Sequence, residues 1–346
     1  MRADAIVRIV ICDDSPTYSA ALTGFLECDP DLRVVAVYSD CEELMRGLPA
    51  TCADIVTMDI ELPGMDGVSG TKRIMDWRPT PIVVLSAYAG PGSAPVVAAL
   101  AAGALDAIDK SAIRLDNTSA PSSVALRRRI KLLAGTRATS FPASSRRPPP
   151  ASHATTRTAT VVGIGASTGG PAALKHVLDR LPAQFPLPVL VVQHISAGFT
   201  EGLVTWLDGE VALPVRLAVH GQRTGRGVWV APAGAHLRLR PGGNLSLEAC
   251  AEPTAHCPSA DVLLTSLAET ESAGAVSVVL TGMGRDGAAG TAAVRAAGGL
   301  TIAQDEASSV VYGMPRAAAE RGAAMILPVA AIGDALGRLR MASRSG

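Results

Sequence analysis

The chain has 346 residues, which is enough for two domains with cores of their own. Lys and Arg together number 31, and so do Asp and Glu, so no net field favours nucleic acid or an anionic membrane surface. Apolar residues make up 48% of the chain and aromatic residues only 3%, which suits a globular protein with α/β packing.

The sequence carries no sign of membrane insertion or export. No apolar run reaches the roughly 18 residues of a spanning helix, and the N-terminus lacks a signal-peptide pattern. The six cysteines form no C-x-x-C pair and no framework spacing, so free, reduced thiols are predicted and a zinc site is not. These cysteines are Cys12, Cys28, Cys41, Cys52, Cys250 and Cys257. We therefore expect a cytoplasmic protein.

Strands and helices alternate through about the first 115 residues. The predicted strands cover residues 7–11, 33–38, 54–58, 82–86 and 105–108, with helical segments between them. This alternation predicts a parallel sheet with helices on both faces.

Polar side chains follow four of these strands. They are Asp13, Asp14, Asp59, Ser86 and Lys110. Functional groups collect at the carboxyl ends of parallel strands, so we expect these residues at one edge of the sheet. Three neighbouring carboxylates repel one another, and the cluster therefore predicts a hard divalent cation such as Mg²⁺. A carboxylate held by the metal can attack a phosphoryl donor, while Lys110 neutralises charge and Ser86 hydrogen-bonds the new phosphoryl oxygens.

Residues 6–110 resemble a response-regulator receiver domain, which has a flavodoxin-like fold. The resemblance rests on Cys-Asp-Asp-Ser at 12–15, Met-Asp-Ile-Glu-Leu-Pro-Gly-Met-Asp-Gly at 58–67, Leu-Ser-Ala at 85–87, and the lysine at 110. It implies that Asp59 is phosphorylated by a histidine kinase. It also implies that Asp13 and Asp14 serve Mg²⁺, with Asp14 and Asp59 as metal ligands.

Two positions depart from the receiver pattern. Receivers often carry an aromatic switch residue three positions before the lysine, where Ala107 stands here. The lysine is commonly followed by proline, and here it is followed by Ser111. The phosphorylation chemistry is expected to survive these changes, whereas the route by which the signal leaves the domain is left open.

A basic segment of biased composition follows the receiver. Residues 117–178 contain no Asp or Glu, and residues 136–158 are mostly Ser, Thr, Ala, Arg and Pro. Such a composition cannot pack a core and predicts a semi-extended tether. The basic run 127–131 is expected to end the last receiver helix. The predicted domains are 1–120 for the receiver, 121–157 for the linker and 158–346 for a second domain.

The second domain is organised around the stretch Val-Val-Gly-Ile-Gly-Ala-Ser-Thr-Gly-Gly-Pro at 161–171. A short strand leads into small residues that fit a G-x-S-x-G elbow, in which a sharp turn exposes the oxygen of Ser167. Pro171 suits the first turn of the helix that follows. The same letters nearly form a dinucleotide loop, except that Thr168 stands where that loop needs glycine. A tight turn without chemistry is a third interpretation.

Two other strand ends supply partners for this serine. His194 follows the apolar strand 187–192, and Asp286 follows the strand 275–281. A serine needs a base to be nucleophilic near neutral pH, and a carboxylate orients the imidazole that acts as that base. The glycine-lined loop 282–284 is expected to offer backbone N–H groups to an oxyanion.

Residues 160–340 resemble the catalytic domain of chemotaxis protein-glutamate methylesterases, the CheB family. The matching stretches are Gly-Ile-Gly-Ala-Ser-Thr-Gly-Gly-Pro at 163–171, Val-Gln-His at 192–194, Thr-Gly-Met-Gly-Arg-Asp-Gly at 281–287, and Ala-Gln-Asp-Glu at 303–306 with Gly-Met-Pro at 313–315. A receiver joined by a tether is also that family's architecture. The resemblance implies a doubly wound, mostly parallel α/β methylesterase domain.

The same resemblance implies the chemistry. Ser167 is the expected nucleophile, His194 the base and Asp286 its orienting carboxylate, with Met283 and Thr168 supporting the oxyanion. The substrates are glutamyl methyl esters on the cytoplasmic helices of chemoreceptors, and some members also deamidate receptor glutamines. Ester hydrolysis needs no cofactor. Phosphorylation of the receiver is expected to relieve its cover over the active site.

Local departures and rival functions complete the prediction. Ser196 stands where the family usually has proline, and Cys257 stands where it commonly has arginine. One rival is a phosphorylation-controlled nucleotide-binding or interaction protein without hydrolase activity. A DNA-binding regulator fits poorly, because the second half has a long α/β pattern and no basic recognition helix.

Overall fold

The computed structural model describes residues 6–87, 93–136, 158–250 and 256–341. Backbone contacts divide the chain into two compact units, residues 1–140 and 141–346. Within the described ranges, no helix combines the length and the apolar character needed to cross a bilayer. Most of the predicted tether, residues 137–157, lies outside these ranges.

The first unit is a five-stranded sheet with the strand order β2-β1-β3-β4-β5, in which every pair is parallel. Its elements are β1 (Val7–Cys12), α1 (Pro16–Glu27), β2 (Leu32–Tyr38), α2 (Cys41–Thr51), β3 (Ile55–Asp59), α3 (Gly67–Trp77), β4 (Ile82–Ser86), α4 (Ala94–Ala101), β5 (Asp106–Asp109) and α5 (Pro121–Ala134). The predicted α/β class is confirmed.

Local sequence explains where these elements begin and which strands are central. Asp40 and Asp66 cap α2 and α3, because each carboxylate accepts the backbone N–H three residues later at 2.7 Å. Strands β3 and β4 are buried along their whole length. Their mostly apolar residues and complete burial are typical of parallel strands that are covered on both faces.

The last helix of this unit shows that the receiver continues beyond the predicted boundary at residue 120. Helix α5 buries Ile130 and Leu133, and Arg129 forms an ion pair with Asp106 in β5. An amphipathic helix of this kind packs on the sheet and is no part of a solvated tether. The linker predicted to begin at residue 121 therefore overlaps α5, which ends at Ala134. The basic run 127–131 lies in this helix, as expected.

The second unit contains a seven-stranded, all-parallel sheet with the order β15-β14-β13-β7-β8-β10-β9. An antiparallel hairpin pairs β11 with β12, and a short parallel pair joins β6 to β16. The elements are β6 (Thr158–Ala159), β7 (Val161–Ala166), α6 (Gly170–Leu178), β8 (Pro188–Gln193), α7 (Thr200–Glu210), β9 (Val215–Leu217), β10 (Gly227–Val230), β11 (Ala235–Arg240), β12 (Asn244–Ala249), α8 (Ala260–Glu271), β13 (Ala275–Val279), α9 (Ala288–Ala296), β14 (Leu300–Gln304), α10 (Met314–Glu320), β15 (Met325–Leu327), α11 (Val329–Gly337) and β16 (Arg340–Met341).

The strand order reverses at the centre of this sheet. Strand β7 lies between β8, which follows it in the chain, and β13, which comes much later. The loops after β7 and β13 therefore leave the sheet at a topological switch point, the place where open α/β sheets form their sites. The sheet thus brings together the loops that carry Ser167, His194 and Asp286.

One glycine in the receiver is required by close packing. A Cβ atom on Gly67 would lie 2.0 Å from the backbone oxygen of Asp59, whereas a Cβ atom on Gly24 in α1 would meet nothing within 4 Å. The start of α3 therefore packs directly on the strand end that carries Asp59.

We predict that Gly67→Ala lowers the local free energy of unfolding of the receiver by at least about 1–3 kcal/mol, because backbone must move to admit the methyl group. Gly24→Ala is the matched control and should stabilise α1 by roughly 0.5–1 kcal/mol. Native-state hydrogen exchange of the β1 and β3 amides measures both effects. Equal exchange rates in the two variants would contradict the packing.

Candidate active site and receiver site

Ser167 occupies the turn between β7 and α6. Its backbone N–H donates to the carbonyl oxygen of Thr281 at 3.0 Å, and its own carbonyl accepts the N–H of Gly170 at 2.8 Å. The left-handed conformation in this turn belongs to Gly169, with φ at +74°, and not to the serine. The predicted strand-to-helix turn is present, and glycine rather than the nucleophile candidate absorbs its backbone strain.

The same hydrogen bonds disfavour the nucleotide-binding interpretation of this loop. A phosphate-binding loop presents a row of backbone N–H groups to its ligand. Here the N–H groups of Ser167 and Gly170 already donate to carbonyl oxygens of the protein. The loop therefore supports a serine at a strand end better than it supports a phosphate cradle.

His194 follows β8, the strand next to Ser167. Its backbone N–H donates to Ala166 at 2.9 Å, and its Nε2 lies 2.8 Å from Oδ2 of Asp286. The Gln193 side chain links this loop to the serine turn, because its Nε2 donates to the carbonyl oxygens of both Ser167 and His194 at 2.8 Å. This role of Gln193 was not predicted from the sequence, although the residue directly precedes the histidine in the Val-Gln-His motif.

Asp286 belongs to the loop between β13 and α9, and its carboxylate contacts the N-terminus of α8. The side chain is nearly inaccessible to solvent, with 3% of its surface exposed. Besides His194, the donors to its carboxylate are Ser259 Oγ at 2.8 Å and the backbone N–H groups of Ala260 at 2.7 Å, Asp261 at 2.9 Å and Gly287 at 3.0 Å. Burial alone would raise the pKa of Asp286. The His194 hydrogen bond and the backbone donors outweigh it and hold that pKa well below its ordinary value.

This carboxylate determines which nitrogen of His194 can act as a base. An ionised carboxylate only accepts hydrogen bonds, so the Nε2 that faces Asp286 must carry a proton. In the neutral imidazole the lone pair then lies on Nδ1. The assignment is the reverse of the one in chymotrypsin-like proteases, where Nδ1 faces the carboxylate.

The glycine-lined loop after β13 is only partly available to a substrate. The N–H of Gly282 donates to Val311 at 3.0 Å, and the carbonyl of Gly282 accepts from Met314 at 2.8 Å. The expectation that this whole loop offers N–H groups is therefore wrong for Gly282. Met283 and Thr168 stay predicted oxyanion donors.

Two buried polar residues that the sequence analysis did not single out fix these loops. Thr281 donates through Oγ1 to the carbonyl of Thr168 at 3.0 Å, and its backbone N–H donates to Oε1 of Gln304 at 2.7 Å. Both Thr281 and Gln304 are fully buried. They join the Ser167 turn, the end of β13 and the end of β14 into one hydrogen-bonded unit.

His256 packs against the candidate base. Its ring stacks on that of His194 with 4.6 Å between centroids and 10° between planes. Burial, and after it the neighbouring His194, lowers the pKa of His256. Ligand atoms of both histidines and Asp286 lie within 4.8 Å of one another, but the in-plane lone pairs of parallel rings do not converge on one ion.

The cysteine prediction is wrong for two of the six residues. Cys250 and Cys257 form a disulfide with 6.4 Å between their Cα atoms, while Cys12, Cys28, Cys41 and Cys52 are free. The two cysteines are seven residues apart, Cys250 directly after β12 and Cys257 shortly before α8, and this spacing matches no recognised cysteine motif.

The receiver residues predicted from the strand ends lie together. Lys110 Nζ contacts Asp13 Oδ2 at 2.7 Å and Asp59 Oδ2 at 2.6 Å, and it also lies 4.5 Å from the ring centroid of Tyr18. Burial raises the pKa of Asp59, and the Lys110 ammonium opposes that shift. Ser86 is buried at the end of β4. Tyr18, in α1, was not predicted.

The carboxylates of this cluster suit a hard cation. One oxygen each from Asp13, Asp14 and Asp59 lies within 4.8 Å of the others, and every one of these donors is a carboxylate oxygen. Mg²⁺ prefers such ligands and keeps several waters, which the exposed Asp14 leaves room for. Ala107 is buried in β5 and has no side chain that could swing outward as an aromatic switch.

We predict that Asp286 stabilises the fold in a pH-dependent way. Its lowered pKa means that the contribution is present above the unfolded value of about 3.9 and is lost as the pH falls toward the folded value. Asp286→Asn should therefore be less stable than the wild type near pH 7, and the difference should shrink below about pH 4.

Denaturant midpoints measured between about pH 3 and 7 test this pH dependence. Asp116→Asn alters a carboxylate that is 73% exposed and serves as the control. A difference between Asp286→Asn and wild type that stays constant across the range would contradict the prediction.

Comparisons with known proteins match both units of the chain to known families. Residues 162–336 match the family model of the CheB methylesterase, and residues 9–117 match that of the response regulator receiver domain. A protein-glutamate methylesterase/protein-glutamine glutaminase 1 from Cupriavidus pinatubonensis is 40% identical over 334 residues, which cover 95% of this chain and 96% of that protein. A protein-glutamate methylesterase/protein-glutamine glutaminase 2 from Anaeromyxobacter dehalogenans is 42% identical over 339 residues, covering 97% and 98%.

A solved structure is similar to the second unit. The crystal structure of the Thermotoga maritima CheB methylesterase catalytic domain is 38% identical, has a TM-score of 0.50, and covers 52% of this chain and 97% of that one. The resemblances stated from the motifs are confirmed. The chain therefore belongs to the CheB methylesterase family and carries a response-regulator receiver domain at its N-terminal end.

Proposed function

We propose that this chain hydrolyses glutamyl methyl esters on the cytoplasmic helices of chemoreceptors, and that phosphorylation of its receiver raises the rate. The observation that carries the proposal is the 2.8 Å contact between His194 and a buried, multiply bonded Asp286, beside the strand end that bears Ser167. The names of relatives matched over nearly their full length support methyl esters of protein glutamates as the substrate class.

In the acylation step, Ser167 Oγ attacks the ester carbonyl and passes its proton to Nδ1 of His194. Asp286 keeps Nε2 protonated and stabilises the imidazolium that forms. His194 then gives the proton to the departing methoxide, which leaves as methanol. General base catalysis of this kind contributes on the order of 10²- to 10⁴-fold to the rate.

In the deacylation step, water replaces methanol and the same residues act again. His194 takes a proton from the water as it attacks the acyl-enzyme, and returns it to Ser167 when the glutamate carboxylate is released. The backbone N–H groups of Met283 and Thr168 are the proposed donors to the oxyanion in both steps, and one such donor is typically worth roughly 10²- to 10³-fold.

The same sequence of steps accounts for deamidation. A glutamine side chain presents an amide in place of the ester, and His194 then gives its proton to the departing amide nitrogen, which leaves as ammonia. The relatives' names pair the two activities, which supports the glutaminase reaction here as a second activity of one site.

In the receiver, Asp59 is the proposed phosphoacceptor and a histidine kinase the phosphodonor. Asp14 and Asp59 would hold Mg²⁺, with Asp13 beside them, and the ion supplies charge neutralisation for phosphoryl transfer when bound. Lys110 now pairs with Asp59 and is placed to meet the added phosphoryl charge, while Ser86 offers a hydroxyl at the neighbouring strand end.

We predict that Ser167→Ala lowers methanol release from methylated receptor by about 10⁴-fold or more, because the acyl-enzyme cannot form. Ser122→Ala, an exposed serine in α5, is the matched control and should keep the wild-type rate. The measurement is the rate of methanol release from methylated receptor by each purified full-length protein. An active Ser167→Ala would make the proposed triad wrong and return the nucleotide-binding alternative to consideration.

We further predict that a small phosphodonor with Mg²⁺ accelerates methanol release by the wild type, and that Asp59→Asn abolishes this acceleration because it removes the phosphoacceptor carboxylate. Asp116→Asn, in an exposed loop of the same domain, should be accelerated like the wild type. A wild-type rate that does not respond to the phosphodonor, although Asp59 is shown to be phosphorylated by mass spectrometry, would overturn the regulation.

A further inference from the structure

Two residues near His256, Cys250 and Ser259, are anchored to other parts of the second unit. On one side, Cys250 follows β12 and its backbone N–H donates to Gly234 at 3.4 Å. On the other side, Ser259 begins α8, donating through Oγ to Asp286 and through its backbone N–H to His236. The disulfide joins Cys250 to Cys257, the residue directly after His256 and two residues before Ser259.

The stacked ring of His256 constrains the ring of His194. The centroids of the two rings are 4.6 Å apart and their planes lie within 10° of parallel, which leaves the ring of His194 little freedom to tilt. The contact with Asp286 fixes one edge of the His194 ring, and the stack fixes the plane. Together they direct Nδ1, the nitrogen that must reach the serine proton.

Resting on the function proposed above, we propose that the Cys250–Cys257 disulfide holds His256 against His194 as a positioning residue, so that reduction of this disulfide slows ester hydrolysis. His256 itself exchanges no proton with substrate in this scheme. The disulfide acts through the backbone on His256, which acts on His194 through the stack.

The chemistry of the change is thiol–disulfide exchange. On oxidation, the thiolate of one cysteine attacks a small disulfide such as oxidised glutathione, forming a mixed disulfide and releasing one thiol. The second cysteine then displaces the other thiol, so two protons and two electrons leave the protein in total. A small dithiol reverses both steps. Cys250 and Cys257 are half-buried, whereas Cys12 and Cys41 are buried in the receiver.

The first experiment compares the full-length protein after treatment with oxidised glutathione and after treatment with dithiothreitol. We expect reduction to lower kcat for methanol release by on the order of 10-fold with little change in KM, since misplacement of a catalytic group costs rate more than binding. Re-oxidation should restore the rate.

Cysteine variants locate the effect. Cys257→Ser should show the reduced rate under both conditions, because it cannot form the disulfide. A Cys28→Ser, Cys52→Ser double variant removes the exposed thiols of the receiver and should respond like the wild type. A Cys257→Ser enzyme with the full oxidised rate, or a redox response carried by the receiver thiols, would overturn the proposal.

Variants of His256 separate positioning from general structure. His256→Phe keeps a flat ring for stacking and should retain most of the oxidised rate, whereas His256→Ala should lose it together with the redox response. Thermal unfolding of each variant shows whether the fold is intact. If a folded His256→Ala keeps the wild-type kcat, His256 does not position His194.

The outcomes distinguish this inference from the function on which it rests. Loss of methanol release in Ser167→Ala, combined with a rate that does not change on reduction, refutes the disulfide's role alone. Methanol release that persists in Ser167→Ala refutes the proposed hydrolase site itself.

Discussion

The second domain depends on one buried charge. The Asp286 carboxylate is almost completely buried from solvent, and it is stabilised by the N-terminus of α8, the hydroxyl of Ser259 and the ring of His194. An isolated carboxylate in such a place would neutralise itself by binding a proton. Because α8 supplies donors that need no reorganisation, the charge persists and fixes both the proton on His194 Nε2 and the position of the loop after β13.

The receiver also contains buried carboxylates, but it stabilises them with a side chain and not with a helix N-terminus. Asp13 and Asp59 are also buried carboxylates at strand ends, but a lysine side chain compensates them instead of a helix terminus. A flexible ammonium can change partners, whereas backbone N–H groups cannot. The difference suits the two tasks, since the receiver must accommodate an added phosphoryl group and the hydrolase site must stay the same through each turnover.

The site residues that could be predicted from the sequence are those that lie at or shortly after the ends of strands. Ser167, His194, Asp286 and the receiver cluster follow apolar strands, and parallel strands deliver such residues to one edge whatever the helices do. Gln193, Thr281 and Gln304 act through buried hydrogen bonds between loops far apart in the chain, which no periodicity reveals. The disulfide was missed for a different reason, because its two cysteines are only seven residues apart and that spacing matches no recognised cysteine motif.

The turn after β7 has one more consequence. Its left-handed residue is Gly169, two positions after Ser167, so the serine itself keeps a backbone conformation open to any L-amino acid. In elbows where the nucleophile bears the strain, the choice of nucleophile and the shape of the turn are tied together. Here the two are separate, and a lineage of such enzymes could exchange the nucleophile, for example for a thiol, without rebuilding the backbone that presents it.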